Sequence, residues 1–163
     1  GYTEQDDTGY AIWKRYGFIN KEAGEGLVRE FNNSAAMAYL TPHLDAVKYV
    51  KKLHEECGYV LRVITSMSLN KYAYKARLQN LHALFGETVI DELVCLDTGA
   101  DKDDVLEPYK GSGYLWLEDK TENAELGDRL GLESILIEHG HNMDNKQFPL
   151  MKNWSDLYEY ITG

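Results

Sequence analysis

The chain has 163 residues and a formal net charge of −10, with 44% hydrophobic and 27% charged residues. This size and composition are ordinary for one globular domain with its own core. The acidic balance argues against a nucleic-acid polymer as the main partner. A small phosphorylated ligand stays possible, because a few local cations and a metal ion can hold one phosphate in an acidic protein.

Location and redox state follow from simple features of the sequence. The chain has neither a signal peptide nor an apolar run of about 18 residues, so we expect a cytoplasmic protein without a membrane span. Cys57 and Cys95 lie in apolar segments without metal-site spacing and are expected to be buried free thiols. The first residue is Gly1, which indicates a processing scar or further sequence upstream.

The first quarter of the chain predicts a small helical region. Residues 1–9 are polar and indicate a loop, and residues 10–40 are rich in aromatic and small residues. Breaks are expected near Gly17, at 24–26 and at 32–33. The aromatic side chains of this region are able to stack on a base, although packing is their commoner role. The aromatic candidates are Trp13, Tyr16 and Phe18.

From Pro42 onward, helices and strands alternate. Apolar residues three or four apart predict a helix that ends at Gly58, and 59–64 is a β-branched, apolar run that predicts a buried strand. Further strands are predicted at 93–96, 114–117 and 134–137, and helices at about 69–85, 122–130 and 155–161. Ser155 is the expected N-cap of the last helix. This order predicts an α/β fold with a parallel sheet covered by helices.

Polar residues follow three of these segments at the points where a parallel sheet binds ligands. Thr65 and Ser66 close the first strand, Glu118 and Asp119 close the third, and Lys102 lies in the loop after the second. Adjacent carboxylates suit a hard cation such as Mg²⁺. A lysine and a hydroxyl stabilise charge on phosphate oxygens. The pattern therefore favours phosphate chemistry.

Each of these residues has an ordinary structural explanation when it is taken alone. A Thr-Ser pair after a strand often forms a turn, and a lysine in a charged loop is often only solvated. A Glu-Asp pair at a strand end often caps the next helix. The combination of all three features in this order favours the functional interpretation.

Three segments resemble signatures of the haloacid-dehalogenase-type (HAD-type) phosphatases. The second signature is an apolar strand ending in Thr or Ser, and it is similar to 63–66 (VITS). The third supplies a lysine and is similar to 99–106 (GADKDDVL). The fourth places acidic residues around Mg²⁺ and is similar to 115–124 (LWLEDKTENA), which is the most specific of the three likenesses.

Within this superfamily the chain most resembles the 5′(3′)-deoxyribonucleotidases and their phage and bacterial relatives. The likeness rests on 40–47 (LTPHLDAV), at the entry into the core helix, and on 137–142 (IEHGHN), after the last core strand. It also rests on 153–156 (NWSD), at the start of the terminal helix. The resemblance covers about 40–163.

The resemblance implies a three-layer Rossmann-like core at 41–163 and a small helical cap at 1–40. The family's first signature, an apolar strand ending in Asp-x-Asp, is not found, because no apolar strand precedes 6–9 (DDTG). In the family that strand lies between the strands that end here at Ser66 and Glu118. We therefore expect an upstream segment of about 10–20 residues or, without it, direct pairing of those two strands.

The implied activity is Mg²⁺-dependent hydrolysis of a small phosphate monoester, a (deoxy)nucleoside monophosphate being the family's substrate class. An aspartate upstream of the first residue would form an aspartyl phosphate. Asp119 would bind Mg²⁺ with Glu118 beside it, and Thr65 and Lys102 would hold the phosphoryl group. Ser66 would assist them.

Two alternatives belong to other classes of protein. A HAD-like binding or scaffold protein without catalysis fits a chain that lacks the nucleophile. Recovery of the full open reading frame would discriminate between this protein and the phosphatase. A receiver-like signalling domain fits less well, because the Glu-Asp-Lys stretch comes late in the chain. His139 and His141 are interpreted as loop or surface residues, since HAD-type sites use oxygen ligands.

Overall fold

The computed structural model describes residues 11–43 and 45–163, without the side chain of Ile12. Its α-helices are α1 (Ile12–Arg15), α2 (Lys21–Asn32), α3 (Ala46–Cys57), α4 (Lys71–Phe85), α5 (Asp103–Leu106), α6 (Thr121–Arg129) and α7 (Trp154–Thr162). Its strands are β1 (Leu61–Ser66), β2 (Ile90–Leu96), β3 (Leu115–Glu118), β4 (Glu133–Ile137) and β5 (Leu150–Met151). Short 3-10 helices lie at Ala35–Tyr39 and Glu107–Tyr109. The predicted mixed α/β class is confirmed. The segment 6–9 lies outside the described residues.

The strands form two separate parallel sheets. In the first sheet β1 pairs with β2, and Thr65 lies opposite Cys95. In the second sheet β3 pairs with β4 and β4 pairs with β5. The predicted parallel pairing is confirmed. Direct pairing of β1 with β3, one of the two arrangements expected for this chain, is not found among the described residues.

Helix α3 and Trp154 join the two sheets into one core. On α3, Val50 packs in a buried cluster with residues of β1, β2 and α4. One turn later, Leu53 packs in a second cluster with residues of β4, β5 and α7. Trp154 contacts both clusters. A third cluster brings α5 and α6 against Ile64 of β1 and Trp116 of β3, so the sheets share packing partners without sharing backbone hydrogen bonds.

The first strand begins two residues later than predicted because its first apolar residues terminate the preceding helix. Gly58 adopts the left-handed conformation with φ 76° and caps α3. The amide of Gly58 donates to the carbonyl oxygen of His54 at 3.0 Å, which is the bond of an αL cap, and the amide of Tyr59 donates to the carbonyl oxygen of Leu53 at 3.1 Å. Tyr59 and Val60 are exposed as a result.

The predicted N-cap of the last helix is wrong. Asn153 caps α7, since its side chain accepts a hydrogen bond from the Asp156 amide at 2.9 Å. The Ser155 amide instead donates to the carboxylate of Asp45 at 3.1 Å, and the Trp154 amide donates to the same carboxylate at 3.0 Å. Asp45 thus ties the start of α7 to the start of α3.

Helix α2 lies over the carboxyl ends of β1 and β2. The side chain of Asn32 donates to the Met67 carbonyl oxygen at 2.9 Å, and Asn33 accepts from the Ser68 hydroxyl at 2.6 Å. The predicted break at 24–26 is wrong, because these residues lie inside α2. The glycine at 24 serves close packing, since a Cβ there would lie 2.8 Å from the Cβ of Trp13.

The expectation that both cysteines are buried is wrong for one of them. Cys57 is the last residue of α3 and is exposed, whereas Cys95 on β2 is half-buried. Burial raises the pKa of the Cys95 thiol. In the part of the chain that the structure describes, no helix has the length and apolar character needed to cross a membrane.

Candidate active site

A cleft of about 720 Å³ opens between the two sheets. Its walls include all of β1 and all of β3, and each strand presents an edge that pairs with no other described strand. The five residues predicted from the sequence to form the site all line this cleft. They are Thr65, Ser66, Lys102, Glu118 and Asp119. The structure therefore brings together residues as far apart in the sequence as Thr65 and Asp119.

Lys102 and Glu118 form an ion pair that crosses from one sheet to the other. Lys102 stands at the start of α5 in the loop that follows β2, and Glu118 is the last residue of β3. Their side chains are only 12% and 5% exposed, and the ammonium group contacts a carboxylate oxygen directly. The same ammonium lies 5.2 Å from the centre of the Trp116 ring. Two charges are thus neutralised inside the cleft.

Glu118 also orders the start of α6, as the ordinary explanation for a Glu-Asp pair anticipates. Its carboxylate accepts from the Asn123 side chain at 3.0 Å and from the backbone amides of Asp119 at 3.1 Å and Lys120 at 3.4 Å. With Lys102 as a further donor, the carboxylate has four partners. Direct metal ligation by Glu118 would displace some of these partners, whereas contact through a water would not.

Asp119 has the carboxylate that is free to face the cleft. Its side chain is 43% exposed, and one carboxylate oxygen lies 3.6 Å from Nε2 of His141. Its carbonyl oxygen accepts from the Asn142 side chain at 2.8 Å, which fixes the backbone at this strand end. In the described ranges no three His, Cys, Asp or Glu side chains come close enough to form a complete metal site. One oxygen donor suits Mg²⁺, which often keeps several waters and uses few protein ligands.

Thr65 and Ser66 differ in what their hydroxyls do. The Ser66 hydroxyl donates to the Ala100 carbonyl oxygen at 2.7 Å and so fastens the loop that carries Lys102. Within the described part of the chain, the Thr65 hydroxyl has no hydrogen-bond partner, and it lines the cleft. Thr65 is consequently the hydroxyl that is available to a ligand, and Ser66 positions the lysine loop.

His139 and His141 lie in the loop after β4, as the sequence interpretation expected, and together with His43 they form a group of rings beside Asp119. The ring of His139 lies 4.9 Å from that of His43 and 5.7 Å from that of His141, measured between centroids. Burial lowers the pKa of His139, and the charge of Asp119 opposes that shift. Nδ1 of His43 is buried without a partner among the described residues. The sequence signal is the position of 139–141 directly after β4, the neighbour of β3.

Arg77 is a cleft residue that the sequence analysis missed. It lies on α4 and lines the cleft, and its guanidinium donates to the Asn80 side chain at 2.5 Å. Burial lowers the pKa of this guanidinium, and no carboxylate of the described residues pairs with it. The helical spacing could have predicted the inward position of Arg77. This residue lies four residues from Ala73 and four from Leu81, and both of those residues are buried.

Comparison of the chain with protein-family models gives no matching family, and comparison with curated proteins gives no match. The class that the fold and the site define is therefore a mixed α/β protein with two parallel sheets and a polar site at their carboxyl ends. Any finer assignment depends on the chemistry of the cleft.

Proposed function

We propose that this protein is a cytoplasmic, Mg²⁺-dependent phosphate monoester hydrolase with a three-layer Rossmann-like core of the HAD type. The substrate class is a small phosphorylated metabolite, and a (deoxy)nucleoside monophosphate is the first candidate. One observation carries the proposal: a free hydroxyl, a buried lysine and a cleft-facing carboxylate line one cleft at the carboxyl ends of β1 and β3. Transfer of a phosphoryl group needs this kind of positioning and charge stabilisation.

Each residue has a distinct part in this proposal. The Thr65 hydroxyl and the Lys102 ammonium bind the oxygens of the transferring phosphoryl group, while Ser66 holds the lysine loop in place. Asp119 would hold Mg²⁺ directly, and Glu118 would act on it through a water. When bound, Mg²⁺ neutralises negative charge on the phosphate oxygens. The pairing of Lys102 with Glu118 keeps the ammonium in the cleft before substrate arrives.

The nucleophile is an aspartate on a segment outside these 163 residues. Its carboxylate oxygen attacks phosphorus, the bond from phosphorus to the ester oxygen breaks, and the leaving oxygen takes a proton from solvent and departs as the alcohol. Water then attacks the aspartyl phosphate and returns a proton to solvent, so that inorganic phosphate leaves and the carboxylate is restored. The positively charged Lys102 stabilises the charge that spreads over the phosphoryl oxygens in both steps.

The test is steady-state hydrolysis of deoxynucleoside monophosphates by a polypeptide that includes the segment upstream of Gly1. We expect Thr65→Val to lower kcat by about 10²-fold, because it removes a donor to the transferring group. Asp119→Asn should abolish the Mg²⁺-dependent activity, because it removes the carboxylate that is proposed to bind the ion. Thr88→Val is the matched control, since Thr88 is exposed and outside the cleft. Near-normal kcat in both site variants would refute the assignment.

The role of Lys102 requires a substitution that does not leave Glu118 without a counter-charge. Because its partner Glu118 is buried, Lys102→Ala would leave an uncompensated carboxylate in the cleft and lower stability along with activity. The double variant Lys102→Met with Glu118→Gln removes both charges and keeps the side-chain volumes. A folded double variant that retained normal kcat would show that Lys102 has only a structural role.

A binding or scaffold protein without catalysis is the second candidate function. The observation that favours it is that Lys102 and Glu118 already neutralise one another, which needs no ligand. Phosphate release separates the two candidates. A polypeptide that binds deoxynucleoside monophosphates with unchanged affinity in Asp119→Asn, and never releases phosphate, would support the binding protein.

A further inference from the structure

One buried side chain joins the strand that carries the site carboxylates to the strand beside it. The last residue pair of the β3–β4 ladder is Glu118 with Leu136. The next carbonyl oxygens along the two strands, those of Asp119 and Ile137, both accept hydrogen bonds from the side-chain nitrogen of Asn142, each at 2.8 Å. The side-chain amide of Asn142 therefore serves as the hydrogen-bond donor at the point where the ladder between the two strands ends.

The turn that carries Asn142 holds its side-chain amide in this direction. The side-chain oxygen accepts from the backbone amide of His139 at 2.8 Å, and the backbone amide of Asn142 donates to the His139 carbonyl oxygen at 3.0 Å. Asn142 is only 3% exposed. Because both side-chain N–H donors and the side-chain oxygen have partners within the protein, the amide is held in one orientation.

The backbone of Asp119 is consequently held on both sides of its Cα atom. Its amide donates to the Glu118 carboxylate at 3.1 Å, and its carbonyl oxygen accepts from Asn142. His141, in the same turn, places Nε2 3.0 Å from that carbonyl oxygen. Holding both peptide groups fixes the direction of the Cα–Cβ bond, from which the carboxylate of Asp119 extends at the cleft.

We propose that Asn142 is a positioning residue that sets the metal affinity of the site by orienting Asp119. This inference rests on the proposed function, in which Asp119 would hold Mg²⁺. Asn142 acts through the backbone of Asp119, and its own side-chain atoms are all engaged with the protein. Groups that orient a metal ligand commonly contribute about 10- to 100-fold to metal affinity, because a ligand that is already ordered loses less entropy on binding.

Asn145 is a matched control in the same loop. Its side chain also makes three hydrogen bonds: it donates to the Phe148 carbonyl oxygen at 2.8 Å, and it accepts from the amides of Gln147 at 3.1 Å and of Phe148 at 3.3 Å. These bonds all stay within the loop. Alanine at either position therefore removes the same number of hydrogen bonds from the loop, and only Asn142→Ala removes the bond to Asp119.

The first readout needs neither metal nor substrate. In the 163-residue chain, hydrogen exchange followed by NMR reports local opening at the Asp119 amide, and exchange at the Leu136 amide in β4 serves as the reference for overall stability. We expect Asn142→Ala to accelerate exchange at Asp119 relative to Leu136 at least about tenfold, and Asn145→Ala to leave the ratio within about twofold. If Asn142→Ala does not fold, Asn142→Asp replaces it with the same expected result, because Asp keeps the acceptor for the His139 amide and loses both donors.

The second readout is the affinity for Mn²⁺, measured by electron paramagnetic resonance of the free ion with the polypeptide used for the hydrolysis test. We expect Asn142→Ala to weaken Mn²⁺ binding at least about tenfold and Asn145→Ala to leave it unchanged. An unchanged exchange ratio, or an unchanged Mn²⁺ affinity, in Asn142→Ala would overturn this inference alone, provided that the unmodified polypeptide binds Mn²⁺ and hydrolyses its substrate. An unmodified polypeptide that binds no Mn²⁺ would refute the proposed function and this inference together.

Discussion

Strands β1 and β4 are built from similar residues and end in different environments. β1 contributes Leu61, Val63 and Ile64, and β4 contributes Ile135, Leu136 and Ile137. The β4 residues are 0%, 0% and 6% exposed, whereas those of β1 are half-buried. The cause is the number of strand neighbours among the described residues, where β4 is paired on both edges and β1 on one.

This difference shows that an apolar strand does not by itself create a complete core. The sequence of β1 has the character of a central strand, yet one of its edges borders the cleft. In the second sheet β4 has a strand on each side, whereas side chains bridge the space between the two sheets. Stability and ligand access are therefore expected to differ between the two regions, and substitutions can measure the difference.

The largest expected effect comes from matched leucines in the two regions. Leu136→Ala in β4 should lower the free energy of unfolding by about 3–5 kcal/mol, because it empties a fully enclosed site. Leu117→Ala in β3 should cost only about 1 kcal/mol, since that side chain is half-buried at the cleft. Urea unfolding followed by circular dichroism measures both. Equal losses would mean that the cleft is closed in solution.

The next effect concerns the ion pair that bridges the sheets. Glu118→Gln should lower the free energy of unfolding by about 3 kcal/mol, because the buried ammonium of Lys102 loses its counter-charge. Glu107→Gln is the control, since the Lys110–Glu107 pair is well exposed and should contribute nothing measurable. If the two variants unfold at the same urea concentration, Lys102 and Glu118 are not a buried pair.

A smaller effect distinguishes two helical glycines. At Gly127 on α6, a Cβ would lie 2.4 Å from the Trp116 ring and 2.7 Å from the Ser134 hydroxyl, so Gly127→Ala should destabilise by about 2 kcal/mol. At Gly26 on α2 nothing lies within 4 Å, and Gly26→Ala should stabilise by about 0.5 kcal/mol. Thermal unfolding of both variants checks the opposite signs. A gain at Gly127 would contradict close packing of α6 on the second sheet.

The smallest perturbation is chemical labelling of the two thiols. Cys57 is exposed and should react with a disulfide reagent at pH 8 at least about tenfold faster than Cys95. Because burial raises the pKa of Cys95, less of it is thiolate at a given pH, and its rate should keep rising at pH values above the ordinary pKa of a cysteine thiol. The Cys57→Ser variant assigns the two phases. A single phase with equal rates would show that β2 is as accessible as the end of α3.

The sequence by itself determined the elements and their parallel arrangement. Helical periodicity, glycine caps and β-branched runs are local signals, and they placed α3, α4, α6 and the four longer strands within a few residues. Polar residues directly after those strands had to meet at one edge of the fold, because parallel strands share a direction. For that reason the five predicted site residues line one cleft.

Only the tertiary structure decided how the charges and edges are partnered. No local pattern shows that Glu118 pairs with Lys102 across the cleft, or that His139 and His141 lie beside Asp119. Whether Arg77 has a counter-ion likewise depends on the contents of the cleft and not on its own helix. Pairing of charges and of strand edges depends on distances between segments remote in the chain, and local periodicity carries no information about those distances.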